Sequence, residues 1–426
     1  MKKIKTKLVC SIIMILTYHS LILLSSFNIK PNILTLSYSN PMYGGDGYPD
    51  DTIEWIRIDD TFNTYPELRW NYGNYKMAIL DTGLDRPTWN YFYNRISSTY
   101  LDLHLIDRDG RDVSRDNALD VAENHHGSAL TSLIINLLQR KSKDVCMSLY
   151  MFIVSEEPSG EINKYFVEDQ LNWIINYNNQ HPNSPFKVIS LSWGSLYTET
   201  EPVFYDELNT LINQHDCIVV AASGNSYSLD EKNRNQVLEW ENVRIQPATY
   251  SDVIGAGGIY GEPASDDYER LRMSVTYPLE TGGVYVGSMF WQDHGMGEAT
   301  VDCVCPTYKI EMKNDLDNDG LIENILATGT SMAAPQVAVT AYLAARMRYY
   351  LDPAHPLTLP DFFACLHYSC ENDIDGRVQS SSIQLHWEKV GKPTNNLGYY
   401  STYYSYRVGF GCLDVEDLIE YLCTLS

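Results

Sequence analysis

The chain has 426 residues, and its formal net charge is −24 at pH 7. This length suffices for one large α/β domain with a complete hydrophobic core and insertions. The strongly negative charge argues against nucleic acid as a partner, because phosphate backbones attract basic surfaces. The same charge suits a soluble exported protein.

The N-terminal segment 1–26 has the pattern of a targeting signal. Four lysines within 1–7 precede an apolar stretch at 8–24, and two serines follow that stretch. This order predicts a secretory signal peptide over 1–26, and an uncleaved membrane anchor is the alternative. We therefore expect a secreted or extracytoplasmic protein, or one that is membrane-anchored with its folded domain outside.

Residues 27–70 are interpreted as an N-terminal extension, and 71–426 as a folded domain with insertions near 258–300 and 371–400. Within this domain, strand-like apolar runs alternate with apolar residues at helical spacing. The alternation predicts a three-layer α/β/α fold with a mainly parallel central sheet, in which functional residues lie at strand ends. The strand-like runs are 77–80, 188–191 and 218–222, and the helical patterns lie at 130–138, 171–175 and 208–212.

Two polar residues in the N-terminal half occupy positions of this kind. The run 76–83 is apolar up to Asp81, which predicts a buried strand that carries a carboxylate at its end. His126 opens a segment with helical apolar spacing, so it is predicted at a helix N-terminus. The adjacent His125 is the alternative for the same role.

Ser331 stands at the start of an almost entirely apolar helical segment, within the run 327–335. Backbone N–H groups and the helix dipole stabilise negative charge there, so Ser331 is a candidate nucleophile. A serine hydroxyl needs a base, and the base needs a carboxylate that orients it; His126 and Asp81 fit these roles. Asn225 ends another apolar run, and its amide is a candidate oxyanion donor together with the backbone N–H of Ser331.

Five blocks of this chain resemble the subtilisin-like serine proteases and occur in that family's order. The resemblance implies the subtilisin-like fold and an exported serine endopeptidase acting on proteins or peptides, with no cofactor required for the chemistry. It implies that Ser331 attacks the scissile carbonyl, His126 acts as base and Asp81 orients the imidazole. It also implies that Asn225 donates to the oxyanion. The blocks are 78–83, 126–127, 190–194, 221–225 and 329–335.

The block at 190–194 resembles the family's substrate-binding edge, to which a peptide adds as a further strand. The residues concerned are Ser190, Leu191, Ser192, Trp193 and Gly194. The chain departs from the family at Ala129, where a second histidine is usual, and at Trp193, which is bulkier than the common residue. The sequence predicts no stable membrane partner unless the N-terminal segment remains as an anchor.

Two other functional classes compete with an active endopeptidase. A catalytically inactive relative that serves as a binding module has no reason to keep Asp81, His126, Asn225 and Ser331 together. The related serine-carboxyl peptidases use a glutamate base and an aspartate oxyanion donor. His126 and Asn225 exclude that second class.

An acidic loop near Ser331 has the alternating oxygen ligands of a calcium-binding loop. Asp315, Asp317 and Asp319 precede Gly320, a spacing typical of calcium sites, so this loop is a candidate site for a structural calcium ion. The twelfth position is Leu326, so the loop is not a complete EF-hand. A solvated acidic loop without metal is the alternative.

The cysteine count predicts disulfides. Of nine cysteines, Cys10 lies in the targeting segment and eight remain, an even number that favours disulfides in an exported chain. Cys217 belongs to a strand-like run and is predicted to be a packed free thiol. The sequence leaves the pairing open, and the candidate local loops are Cys365 to Cys370 and Cys412 to Cys423.

Overall fold

The computed structural model describes the chain from residue 56 onward, with gaps. The described residues are 56–139, 144–156, 158–196, 203–224, 245–259, 301–307, 310–315, 317, 319–327, 329–371 and 411–425. The predicted signal peptide 1–26, Asn225 and nearly all of the two predicted insertions lie outside them. All described residues belong to a single unit, Ile33–Ser426.

Twelve strands and eight α-helices make up the regular structure of the described residues. The strands are β1 (Lys76–Asp81), β2 (Leu101–Ile106), β3 (Asp112–Val113), β4 (Met147–Ile153), β5 (Phe186–Leu191), β6 (Ser195–Leu196), β7 (Ile218–Ala222), β8 (Ile245–Gln246), β9 (Ile254–Ile259), β10 (Cys303–Pro306), β11 (Ile310–Asn314) and β12 (Glu323–Ala327). The helices are α1 (Ile58–Thr64), α2 (Arg86–Tyr93), α3 (His126–Gln139), α4 (Lys164–Gln180), α5 (Tyr205–His215), α6 (Ala333–Leu351), α7 (Leu359–Glu371) and α8 (Val415–Thr424).

An eight-stranded sheet in the order β10-β9-β7-β5-β1-β4-β2-β3 forms the centre of the protein. Each neighbouring pair is parallel except β2 with β3. The strands β1, β4, β5 and β7 are buried along their whole length, as expected for apolar runs in a sheet covered on both faces. The prediction of a mainly parallel α/β/α fold is therefore confirmed.

The helices form two groups that pack against this sheet. One group contains α3 and α6, which contact each other, and the other contains α4 and α5. The helix α6 contacts β5 and β7 and is buried from Ala333 to Met347, because its many alanines allow close packing. The three predicted strand runs and the three predicted helical patterns all coincide with elements of the structure.

The disulfide prediction is wrong for the described residues, where none of the eight cysteines is disulfide-bonded. Cys365 and Cys370 both lie in α7, and five helical residues span about 7.5 Å along the axis, too far for a disulfide. Cys412 precedes α8 and Cys423 lies in its last turn, so the length of the helix separates them. Cys217 is a buried thiol as predicted, and burial raises its pKa to about 12.

A membrane-spanning helix must be both long and apolar. None of the helices in the described part of the chain is both long and apolar enough to span a bilayer. The predicted anchor alternative concerns 8–24, outside the described residues.

Candidate active site

Asp81 ends β1, a central strand, at the carboxyl edge of the sheet. The residue is buried, and its Oδ1 accepts a hydrogen bond from the backbone N–H of Thr82 at 2.8 Å. His126 opens α3, and its Nδ1 lies 2.7 Å from Asp81 Oδ1. Because a carboxylate only accepts, Nδ1 carries the proton of the neutral ring, and Nε2 is its basic nitrogen.

The start of α3 approaches the loop after β1 very closely. The backbone N–H of Gly127 donates to Thr82 Oγ1 at 2.8 Å. A Cβ at Gly127 would collide with the backbone oxygen of Gly83, so only glycine permits this approach. The close packing is what brings the imidazole of His126 to the carboxylate at the end of β1.

The pKa of His126 is raised above its ordinary value. Burial alone lowers this pKa, because it penalises the charged ring. The negative charge of Asp81, the hydrogen bond to Asp81 and the charge of Asp120 act in the opposite direction and prevail. The site therefore stabilises the imidazolium that forms when a general base takes up a proton.

Ser331 lies in a 3₁₀ turn, Thr330–Met332, directly before α6. Gly329 precedes this turn with φ +152° and ψ 160°, a conformation that is essentially limited to glycine. Ser331 is 2% exposed, and its Oγ has no hydrogen-bond partner in the described part of the chain. The turn contacts α3, β7 and β9, so the structure brings the candidate nucleophile to the helix that begins with His126.

Comparison with known families decides the classification. The model of the subtilase family, peptidase S8, matches residues 73–355, which is more than half of the chain. The chain belongs to the subtilase family. Since subtilases are serine peptidases, a peptidase function follows for this chain.

A comparison of structures supports the same fold. The subtilase described here is similar to the prenylagaramide maturation protease PagA, with a TM-score of 0.50 and 15% sequence identity. The match covers 86% of this chain and 98% of that chain. At this identity the likeness shows the fold alone. No curated protein sequence matches the chain significantly.

The residues 190–194, expected to form the substrate-binding edge of this subtilase, lie partly within β5 and partly after it. Ser190 lies in β5 with Ile79 of β1 and Val220 of β7 as its partners, so its backbone is paired on both sides, whereas Leu191 is paired with Ala221 of β7. Ser192, Trp193 and Gly194 follow the strand at its carboxyl end. The Trp193 ring is 1% exposed, and its Nε1 donates to the Leu80 carbonyl at 2.7 Å, so the ring belongs to the core.

The two adjacent histidines have different carboxylate partners. His125 Nδ1 lies 3.0 Å from Asp85 Oδ2, whereas His126 is paired with Asp81. The backbone of His125 has φ +49°, in the left-handed region that few residues adopt without strain. Burial lowers the pKa of His125, but its hydrogen bond to Asp85 and nearby carboxylates raise it, and the net pKa is raised.

Two buried carboxylates beside the start of α3, Asp85 and Asp120, are not among the residues identified from the sequence. Ser128 connects them: its Oγ donates to Asp120 Oδ2 and accepts from the Asp85 backbone N–H, both at 2.8 Å. Asp85 also caps α2 by accepting from the Thr88 N–H at 2.6 Å. An aspartate before Arg-Pro is a recognisable N-cap signal, whereas nothing around Asp120 marks it in the sequence.

The remaining predicted site residues fall into two sets. Asn225 follows β7 by three positions and lies outside the described residues, so its role remains a prediction. Asp315, Asp317 and Asp319 do come together, with one carboxylate oxygen of each within 4.8 Å of the others. Among the described residues, this is the one group of three or more acidic, histidine or cysteine side chains close enough to share a metal ion.

Proposed function

We propose that the protein is an exported serine endopeptidase that uses Ser331, His126 and Asp81 as its catalytic triad. The observation that carries this proposal is the 2.7 Å pairing of His126 Nδ1 with Asp81 Oδ1 at the carboxyl edge of the sheet. The buried turn with Ser331 packs against the helix that His126 opens. Family membership and the order of the motifs support the same roles.

The proposed mechanism is acyl transfer. Ser331 Oγ attacks the scissile carbonyl carbon while His126 Nε2 takes the hydroxyl proton. His126 then gives that proton to the leaving amine, the C–N bond breaks, and an acyl-enzyme remains on Ser331. Water then attacks the acyl carbon while His126 Nε2 takes its proton. The bond to Ser331 Oγ breaks, His126 returns the proton to that oxygen, and the carboxylic acid product leaves. Throughout, Asp81 orients the imidazole and stabilises its positive charge.

Stabilisation of the oxyanion is assigned to the Asn225 amide and the Ser331 backbone N–H. Both donors would act chiefly in the transition state, when charge has moved onto the carbonyl oxygen. The support is the sequence position of Asn225, three residues after β7, a strand that pairs with β5 in the sheet. For substrate, we assign Ser192–Gly194 as the backbone edge to which an extended peptide adds.

The test is cleavage of an unstructured protein, with product peptides identified by mass spectrometry. The intact chain is expected to cut internal bonds, and Ser331→Ala to abolish cutting. Asn225→Ala is expected to slow cutting about 100- to 1000-fold at an unchanged melting temperature. Ser98→Ala, at an exposed serine, is the matched control and should cut at the normal rate.

Undiminished cutting by Ser331→Ala would remove the triad assignment. Release of terminal residues only would remove the endopeptidase assignment. Absence of cutting by the intact chain, combined with tight binding of an unstructured peptide, would favour the inactive binding module.

Export is the second part of the proposal, and the order of lysines, apolar stretch and serines in 1–26 supports it. Expression of the full chain should yield an extracytoplasmic product without 1–26, or a membrane-bound product if the segment stays as an anchor. Recovery of the uncleaved chain from the intracellular soluble fraction would contradict export.

A further inference from the structure

The strands β11 and β12 form an antiparallel hairpin directly before the Ser331 turn, and the acidic loop joins them. Three aspartates of this loop, Asp315, Asp317 and Asp319, place one oxygen each within 4.8 Å of one another. No lysine or arginine of the described residues forms an ion pair with any of them. The nearest cationic residue in sequence, Lys313, is paired with Glu311 at 3.2 Å.

A buried oxygen in this loop points independently to a ligand. Asp315 is 2% exposed, and its Oδ2 accepts a hydrogen bond from the Gly320 N–H at 3.0 Å. Its Oδ1 is buried and has no hydrogen-bond partner within the described part of the chain. Burial of a carboxylate oxygen without a partner costs free energy of folding, unless a cation or a hydrogen-bond donor lies next to it. Burial raises the pKa of Asp315, and the charges of Asp85 and Asp319 add to this effect.

The donor chemistry selects the cation. The three side chains offer oxygen atoms only, which suits hard ions and not the transition metals that prefer nitrogen or sulfur. Calcium accepts six to eight oxygens in flexible geometry, whereas magnesium demands a nearly ideal octahedron and keeps its water. Two exposed aspartates and one buried aspartate, none of them fixed in an octahedral arrangement, therefore fit calcium better.

The hairpin is tied to the start of α3. Asn314 precedes the loop, and its Nδ2 donates to the His125 carbonyl at 3.2 Å. The backbone N–H of Lys313 donates to Ser132 Oγ in α3 at 2.8 Å. An ion bound by Asp315 would therefore also restrain the neighbouring Asn314 and its hydrogen bond to the His125 carbonyl, next to His126.

We propose that Asp315, Asp317 and Asp319 bind one calcium ion, and that this ion holds the β11–β12 hairpin against the start of α3. Calcium binding itself does not depend on the proposed peptidase function. Its relevance to catalysis does rest on that function, because the contact concerns the helix that His126 begins.

Calorimetric titration of the chelator-treated full chain with calcium chloride tests the site. The expected result is one ion per chain with a dissociation constant between about 10⁻⁶ and 10⁻³ M. Asp317→Asn should weaken binding at least about tenfold, because it removes one charged ligand at an exposed position. Asp109→Asn is the control, since Asp109 lies in another acidic turn but pairs with Arg111 at 2.8 Å. Absence of binding, or equal binding by Asp317→Asn and the intact chain, would overturn the site.

Hydrogen exchange tests the link to α3 without any activity measurement. At a calcium concentration near the dissociation constant of the intact chain, calcium should slow exchange of the amides at 126–130 in the intact chain and slow it much less in Asp317→Asn. Calcium binding without slower exchange at 126–130 would overturn the link. Failure of the peptidase assay would leave both measurements interpretable.

Discussion

His125 and His126 are consecutive residues, yet only one of them meets the carboxylate at the end of β1. We predict that His126→Ala lowers the rate of peptide cleavage by orders of magnitude, because the base is lost. His125→Asn is the matched control. Asparagine tolerates the left-handed backbone at this position better than alanine does, so most activity should remain.

Rates of cleavage should be compared for folded protein, with circular dichroism as the check of folding. Loss of activity in His125→Asn and its retention in His126→Ala would shift the catalytic assignment by one residue.

The pH dependence of cleavage follows from the raised pKa of His126. A general base must be neutral, so kcat/KM should rise with pH through this pKa, and the acid limb should lie above the ordinary histidine value of about 6.5. The folding stability depends on pH in the opposite direction. The charged pair of His126 with Asp81 contributes its full stabilisation below the pKa that His126 has in the unfolded state. That contribution is lost as the pH rises through the folded-state pKa. An acid limb below about 6.5 would contradict the coupling to Asp81.

Among the strands and helices, those with a regular apolar pattern are the ones that the sequence predicts. The apolar runs of β1, β5 and β7 are long enough to identify, because strands buried on both faces exclude polar residues. The helical apolar spacing of α3 and the small residues of α6 identify these helices equally well. The same periodicity predicts Asp81, His126 and Ser331 at the ends of elements.

What the sequence does not predict depends on contacts between distant residues. Nothing in local periodicity shows that Ser128 connects Asp85 with Asp120, or that Trp193 turns into the core and donates to Leu80. The prediction of disulfides is wrong for the same reason, because it also depends on the distances between residues in the fold. An even cysteine count says nothing about which thiols lie within reach, and α7 holds Cys365 and Cys370 too far apart.

The bond from Trp193 to the Leu80 carbonyl ties the segment after β5 to the end of β1. Trp193→Phe removes the donor and should lower the free energy of unfolding by about 1–3 kcal/mol, since a buried carbonyl loses its partner. Trp70→Phe, at a ring that is 50% exposed, is the control and should change little. Both are measured by chemical denaturation in a Ser331→Ala background, which prevents self-digestion. Equal stabilities would contradict a structural role for this bond.

At the scale of the whole molecule, the first and last described segments are joined. Arg57 is paired with Asp414 at 3.0 Å, with Asp417 at 2.9 Å and with Glu416. The Val415 N–H also donates to the Ile56 carbonyl at 2.8 Å. These contacts fix α8, which packs on α6, the helix that follows Ser331.

We predict that Arg57→Gln destabilises the protein by about 1–3 kcal/mol, because three neighbouring carboxylates lose their common partner. Arg86→Gln removes an exposed pair with Asp116 at 3.3 Å and should cost less than about 1 kcal/mol. Denaturant midpoints of the two variants, again with Ser331→Ala, make the comparison. Similar midpoints would show that the cluster around Arg57 contributes no more than a surface pair.

Activation of Ser331 by His126 and Asp81 can be measured by covalent labelling with a fluorophosphonate. Attack by Ser331 Oγ forms an oxygen–phosphorus bond and expels fluoride, while His126 takes the proton. Mass spectrometry of the digested protein should find the adduct on Ser331 alone, with labelling that weakens at acid pH and disappears in His126→Ala. An adduct on a different serine, or unchanged labelling of Ser331 in His126→Ala, would show that His126 does not activate Ser331.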